Sequence, residues 1–175
     1  IYSSFKRFMD ISFSIFLLLI TLPLLILTYL IIKFKLGSPV FYQQERPGYK
    51  CKIFKLIKFR SMSNEKDSKG NLLPDNKRLN NIGKFLRSTS IDELPTLINI
   101  IKGDMSFIGP RPLLKRYLEL YSKEQIIRQN VKPGLSGLAQ INGRNNQSWE
   151  ERFEFDRFYV LNRNFLMDLK IFFFT

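Results

Sequence analysis

The sequence predicts an α+β chain. An apolar, membrane-embedded helix occupies residues 1–36, and residues 37–175 form a mostly helical domain with a small β-hairpin and interfacial amphipathic helices. Three observations carry this. Ile11 to Ile32, ISFSIFLLLITLPLLILTYLII, holds no charged residue. From Gly37 onward the composition turns basic and is punctuated by glycine and proline. Within that second part, a short alternating stretch is followed by longer ones with apolar residues near helical spacing.

The apolar run spans about 33 Å as a helix, enough for a bilayer core of about 30 Å. It exceeds the ~7–15 residues of a signal-peptide core, and no small-residue cleavage site follows it. Pro23 sits near its centre. Proline has no N–H and its ring clashes with the carbonyl four residues back, so a kink is expected there. Lys6 and Arg7 precede the run and Lys33 and Lys35 follow it, so flanking charge gives no orientation. A kinked spanning helix and a helix that enters, bends and leaves by the same face both satisfy these facts. Ser12, Ser14 and Thr21 can serve polar groups near the bend.

Val40 to Met62 reads as two strands around a turn at Arg46-Pro47-Gly48. In its second half Lys52, Lys55, Lys58 and Arg60 alternate with apolar residues. Such a strand suits a solvated face, an anionic lipid surface or RNA. Ser63 to Arg78 is polar and reads as a loop. Helices are expected over Thr89–Ile101, Lys115–Asn130 and Trp149–Arg163, with an irregular, glycine-punctuated stretch over Val131–Gln147. Asn164 to Thr175 is apolar again. Aromatic residues beside basic ones there suit either a membrane interface or ordinary core packing.

The balance is 28 Lys+Arg against 15 Asp+Glu, a net charge of +13, which calls for an anionic partner. The single Cys51 excludes an internal disulfide and a multi-cysteine zinc site. The absence of histidine removes Ser-His and Cys-His nucleophiles. Carboxylates, Lys, Tyr, Arg and an oxygen-preferring metal remain, with Mg²⁺ the natural candidate.

RSTSIDELPTLINIIKGDMSFIGPRP, Arg87 to Pro112, concentrates these groups. Asp92 and Glu93 are adjacent, and Arg87 and Arg111 flank them. One reading is structural: Ser90 and Glu93 as a capping box, with Asp92 favoured by the helix dipole. The other is chemical. A carboxylate at a helix N-terminus has a lowered pKa and can ligate Mg²⁺ or attack phosphorus. Arg87, Lys58 and Arg111 would then hold phosphate oxygens, with Arg111 presented by the rigid Gly109-Pro110-Arg111-Pro112 loop.

KRFMD, QERPG, IFKLIKFRSM, DELPTLINIIKGDMSFIGPRP, KPGLSGLAQINGR and DLKIFFFT together resemble the small monotopic phosphoglycosyl transferases of bacteria, the bacterial sugar transferase family. The resemblance covers Lys6 to Thr175. Within the family it is nearest the compact enzymes of protein N-glycosylation pathways. It implies transfer of a phosphosugar from a UDP-sugar, such as UDP-N,N′-diacetylbacillosamine, to undecaprenyl phosphate, with UMP released. It implies Asp92 as nucleophile through a covalent aspartyl-phosphosugar, Glu93 as its assistant and Mg²⁺ near Asp92. Arg111 would hold phosphate oxygens; Lys58, Arg87, Arg144 and Asp168 would belong to the site or stand behind it. The apolar helix becomes re-entrant, bent at Pro23, on the cytoplasmic face of the bacterial inner membrane against anionic lipid, with no nucleic-acid partner.

Two departures accompany the resemblance. Leu22-Pro23 stands where many members have Ser-Pro, and many relatives continue past the position of Thr175 with a tail that would contribute to sugar specificity. The competing readings are another UDP-hexose donor, a membrane-bound phosphohydrolase that needs no lipid acceptor, and a non-enzymatic basic anchor.

Overall fold

The computed structural model describes residues 2–143 and 147–175. Helix α1 runs unbroken from Tyr2 to Lys35 with Pro23 inside it, and Thr21 Oγ donates to the Leu17 carbonyl at 2.7 Å in the turn before the proline. This helix is long and apolar enough to cross a membrane. Its polarity is inverted relative to a helix of a water-soluble protein. Asp10, Ser14, Thr28 and Ile32 are buried, and Leu17, Leu18 and Leu25 pack inward along the same stripe. Phe8, Phe16, Leu19, Ile20 and Phe34 face outward and are at least 55% exposed. An outer face of large apolar side chains, with the helix's buried polar residues set among leucines on the inward stripe, suits a lipid-facing helix.

Both ends of α1 are fastened to the same body. Arg7 donates to the carbonyls of Ile100 (2.5 Å) and Ile101 (2.7 Å), and Asp10 accepts the Phe107 N–H at 3.1 Å. At the far end buried Arg60 donates to the carbonyls of Leu36, Gly37 and Ser38, capping the helix C-terminus with a cation.

Strands β1 (Phe41–Pro47) and β2 (Ile53–Phe59) form the expected antiparallel hairpin, with Phe41 opposite Phe59 and Pro47 opposite Ile53. The turn is displaced from the expected position. Arg46 and Pro47 complete β1, and the chain reverses through Gly48–Lys52 with Lys50 and Cys51 left-handed. The expected loop holds a short helix, α2 (Asp75–Arg78), and a bridge between Lys66 and Leu72. Helix α3 (Asn81–Ser88) starts on Asn80, whose side chain accepts the Gly83 N–H. A Cβ at Gly83 would lie 1.9 Å from the Ser61 carbonyl oxygen, so glycine lets α3 press onto the chain leaving β2.

The helix expected over Thr89–Ile101 is divided. Ser90 is left-handed (φ 56°), Ile91–Thr96 is a 3-10 helix, and α4 covers Leu97–Lys102. Pro95 explains the tight winding: in an α-helix its ring would meet the carbonyl of Ile91. Strand β3 (Ser106–Ile108) pairs in parallel with β4 (Gly134–Ser136). Beside this pair two backbones cross so closely that a Cβ at Gly134 would lie 2.1 Å from Gly109 N.

Between these strands the helix expected over Lys115–Asn130 is also divided, into 3-10 turns at Lys115–Leu120 and Gln125–Asn130. The break follows from a second start signal. Ser122 N–H donates to Gln125 Oε1, and Gln125 N–H donates to Ser122 Oγ, a reciprocal cap in mid-segment.

Helix α5 (Leu138–Ile141) lies in the stretch expected to be irregular. Helix α6 (Trp149–Asn162) begins at a capping box of Ser148 and Glu151. Helix α7 (Phe165–Phe173) follows, with Asp168 and Ile171 turned in and Phe172 and Phe173 turned out. Among the described residues the core has three parts: Phe54, Leu56, Leu97, Ile100 and Met105 under α1; Val40, Phe59 and Leu86 around Ile32; and Ile108, Val131 and Tyr159 around Ile171 of α7.

Candidate active site

The 3-10 turn Ile91–Thr96 packs on β2 and sets Asp92 and Glu93 beside Lys58. Thr96 Oγ1 donates to the Ile57 carbonyl at 3.0 Å, and Asn99 Oδ1 accepts the Ile57 N–H at 3.0 Å. The two bonds lock turn to strand. The capping box expected at Ser90 and Glu93 does not form, because the left-handed Ser90 makes no side-chain cap. Glu93 turns outward instead. Its Oε1 accepts from Lys58 Nζ and, at 2.8 Å, from Arg111 Nη2. Burial pushes the Glu93 carboxyl up, but the charges of Arg111 and Lys58 outweigh it and hold it below the usual carboxylate range.

Asp92 is buried at 8% exposure. Burial pushes its carboxyl up, against the pull of Lys58; neighbouring Glu93 adds to the rise, while Arg87 and its own backbone N–H oppose it. The lowering expected from a helix N-terminus is thus reversed by desolvation. Among the described residues no side chain donates a hydrogen bond to Asp92.

The Arg111 loop is held from behind. Arg128 Nη2 donates to the Arg111 carbonyl at 2.7 Å and Arg46 Nη1 to the Pro112 carbonyl at 3.1 Å. Arg128 is itself buried in an ion pair with Asp156 at 2.7 Å. Arg87 donates from Nε to Ser61 Oγ at 2.9 Å, which leaves its terminal nitrogens for a ligand.

A cavity of about 1100 Å³ opens here. Arg87, Glu93 and Arg111 line it together with apolar Leu17, Leu97, Phe107 and Phe172. Asp92 and Lys58 are not on its wall; they adjoin it through Glu93. A cavity that joins a cationic region to an apolar one suits a ligand with phosphate at one end and hydrocarbon at the other.

Five of the residues singled out from the sequence therefore gather in one place: Lys58, Arg87, Asp92, Glu93 and Arg111. Arg144 lies outside the described residues. Asp168 is on α7, whose Phe172 lines the cavity; it is not itself on the cavity wall and accepts from Tyr2 OH (2.6 Å), Lys6 Nζ and Tyr159 OH (2.7 Å). Pro23 is a helix residue remote in sequence from all of these.

Sequence reasoning missed the Arg128–Asp156 pair and two glutamines on the cavity. Gln140 Oε1 and both amide atoms of Gln147 are buried without a hydrogen-bond partner among the described residues. Their only signal was a position in the glycine-punctuated stretch.

Among the described residues no cluster of three or more metal-ligating side chains occurs. The Asp92-Glu93 pair still suits a hard cation. Mg²⁺ is commonly held by one or two carboxylates plus substrate phosphates, and Asp92 carries a buried acid group to which no side chain among the described residues donates.

The chain matches the family described as Bacterial sugar transferase over residues 1–175. It is 54% identical over 166 residues to an uncharacterized sugar transferase, EpsL, of Bacillus subtilis, covering 95% of this chain and 82% of that protein. It is 40% identical over 181 residues to the UDP-glucose:undecaprenyl-phosphate glucose-1-phosphate transferase of Klebsiella pneumoniae, covering 98% of this chain and 39% of that protein. It is 38% identical over 190 residues to the undecaprenyl-phosphate galactose phosphotransferase of Salmonella typhimurium, covering 97% of this chain and 39% of that protein.

Proposed function

Because the chain belongs to the bacterial sugar transferase family, we propose that it moves a phosphosugar from a UDP-sugar to undecaprenyl phosphate and releases UMP. The coarse activity, a sugar-phosphate transferase, follows from the family and from relatives named for that reaction. One observation carries the mechanism: a buried carboxylate that receives no side-chain hydrogen bond among the described residues, set among Lys58, Arg87 and the Arg111-bound Glu93.

In the proposed reaction an Asp92 carboxylate oxygen attacks the sugar-bearing phosphorus. The bond from that phosphorus to the bridging oxygen breaks, and UMP leaves with the electron pair. The acyl phosphate formed on Asp92 is then attacked by a phosphate oxygen of undecaprenyl phosphate, which expels the carboxylate and makes the diphosphate. Arg87 and Arg111 hold the donor oxygens as charge builds on them. Glu93 positions Arg111 and Lys58 through its bonds to both. Mg²⁺, held by Asp92 with Glu93, would supply neutralising charge at the diphosphate.

The donor is the divided point. Relatives named by their sugar are named for glucose or galactose, which favours a UDP-hexose over the diacetamido sugar.

The inverted polarity of α1 and the fastening of both its ends to one body support a re-entrant, monotopic placement. The exposed rings of Phe172, Phe173 and Phe174 and the +13 charge support contact with an anionic cytoplasmic leaflet.

The test is UMP release from UDP-glucose, UDP-galactose and UDP-N,N′-diacetylbacillosamine without lipid acceptor, with intact mass measured on the same sample. A stoichiometric burst with a phosphosugar adduct, absent in Asp92→Asn, is the expected outcome. UMP that appears only after undecaprenyl phosphate is added, with no adduct, would replace the covalent route by direct transfer.

A further inference from the structure

Strand β3 has a second depression on it. Phe107 lines the large cavity, Ser106 lines a smaller crevice of about 270 Å³, and Ile108 borders both. Ser3, Lys6, Arg7 and Asp10 of α1 form one wall of the crevice, at the spacing that places residues on one helix face. Lys132 and Arg163 complete its charged lining.

This crevice carries unsatisfied chemistry. Lys6 is paired with Asp168. Among the described residues Arg7 donates only to backbone carbonyls and has no counter-ion in direct contact. Among the described residues Lys132 and Arg163 make no hydrogen bond and no ion pair. Arg7 Nη2 and Lys132 Nζ converge on Gly103, standing 3.3 and 3.4 Å from where its Cβ would be. Burial, and then the charge of Arg7, hold the Lys132 ammonium below its usual range, while Asp10 and Asp104 pull it back. Asp10 already accepts the Phe107 N–H. Ser106 is 2% exposed, and among the described residues its hydroxyl has no partner. A buried hydroxyl without a partner is uncommon and calls for a ligand or water.

We propose that this crevice binds a phosphate group, with Arg7, Lys132 and Arg163 around its oxygens and the Ser106 hydroxyl bonded to one of them. Cationic forks and ammonium groups around a hydroxyl donor are the chemistry of phosphate recognition. The surroundings favour a lipid headgroup as the source. Phe5 and Phe8, exposed on the adjoining face of α1, and Phe165, edge-on to Phe5, offer an apolar surface for acyl chains. Inorganic phosphate shares the headgroup's chemistry without the chains.

The test uses the full chain in neutral detergent and does not depend on transferase activity. Native mass spectrometry counts retained phosphatidylglycerol, and thermal unfolding at constant ionic strength reads protection by inorganic phosphate. The expected result is about one retained lipid per chain and phosphate protection, with lipid retention at least fivefold lower and protection lost in Lys132→Gln/Arg163→Gln. Phosphate protection that the double variant loses, without lipid retention, keeps the site and assigns it a soluble phosphate. Equal lipid retention in both proteins with no phosphate protection in either overturns the proposal. If the double variant does not fold, Ser106→Ala, which removes only the hydroxyl, takes its place. Binding weakened about threefold supports the site, and unchanged binding overturns it.

Discussion

Asp168 accepts from Tyr2, Lys6 and Tyr159, whereas Asp92, equally buried, accepts from no side chain among the described residues. Both are acids in a chain with an excess of cations. The difference lies in what surrounds each. At Asp168 donors from α1 and α6 converge and join the N-terminus of α1 to α7, with the Tyr159 hydroxyl also 3.1 Å from the Ile108 carbonyl oxygen. At Asp92 the cations stand near without bonding, and Glu93 takes up two of them. A carboxylate whose lone pairs are filled holds the fold together. One held in a cationic field without bonds is available to a ligand.

The sharpest break in this comparison is Asp92→Asn. Turnover should fall by on the order of 10⁴-fold or more, as for loss of a covalent nucleophile. Stability should move the other way. The folded pKa of Asp92 is raised, so the fold prefers the protonated form; that preference contributes below the unfolded pKa and is lost as pH rises through the folded value. At pH 7 the ionised side chain therefore costs stability, and the neutral amide should leave Tm unchanged or higher. A variant with near-native turnover, assayed beside its thermal melt, would remove Asp92 from the chemistry.

Asp168→Asn should show the opposite pattern. Breaking a buried, hydrogen-bonded pair costs about 3 kcal/mol, read by denaturant unfolding, while turnover of the folded protein stays within about threefold. Loss of turnover at unchanged Tm would place Asp168 in the active site itself, one of the two positions, in the site or behind it, that the family resemblance implies.

Arg111→Ala sharpens the comparison at Glu93. A charge-assisted bond to a donor phosphate contributes about 1.5–3 kcal/mol, so kcat/KM for the UDP-sugar should fall about tenfold to hundredfold. The lipid acceptor's KM should change less. An effect confined to the acceptor would assign Arg111 to the second substrate.

The hairpin, the apolar helix and the Asp-Glu turn with its cations were legible because each rests on local pattern: period-two alternation, an uncharged run, adjacent acids between arginines. The failures share a cause. Thr89–Ile101 and Lys115–Asn130 were read by apolar spacing, and in each a residue inside the pattern overrode it: Pro95 in one, the Ser122–Gln125 cap in the other. The lowered pKa expected at Asp92 assumed an exposed helix end, whereas burial is a tertiary property that no local window contains. The parallel β3–β4 pair is non-local in the same way, since its strands of three residues join segments far apart in sequence. The resemblance implies Asp168 in the site or behind it, and its partners on α1 and α6 are visible only in three dimensions.

The smallest expected effect tests the field around Asp92 directly. Lys58 and Arg87 oppose the rise that burial imposes on that carboxyl, and Arg87, exposed on α3, touches neither Asp92 nor Glu93 with a hydrogen bond. Replacing it with Gln should therefore raise the Asp92 pKa further while leaving the turn in place. If the ionised carboxylate is the attacking group, the acid limb of the UMP burst rate must move to higher pH in Arg87→Gln, with the plateau reduced by whatever Arg87 contributes to holding the donor. A limb that stays in place while the plateau falls would show that Arg87 acts on the donor alone. The burst would then owe its pH dependence to a group other than Asp92, and the contrast with Asp168 would rest on hydrogen bonding without the charge field.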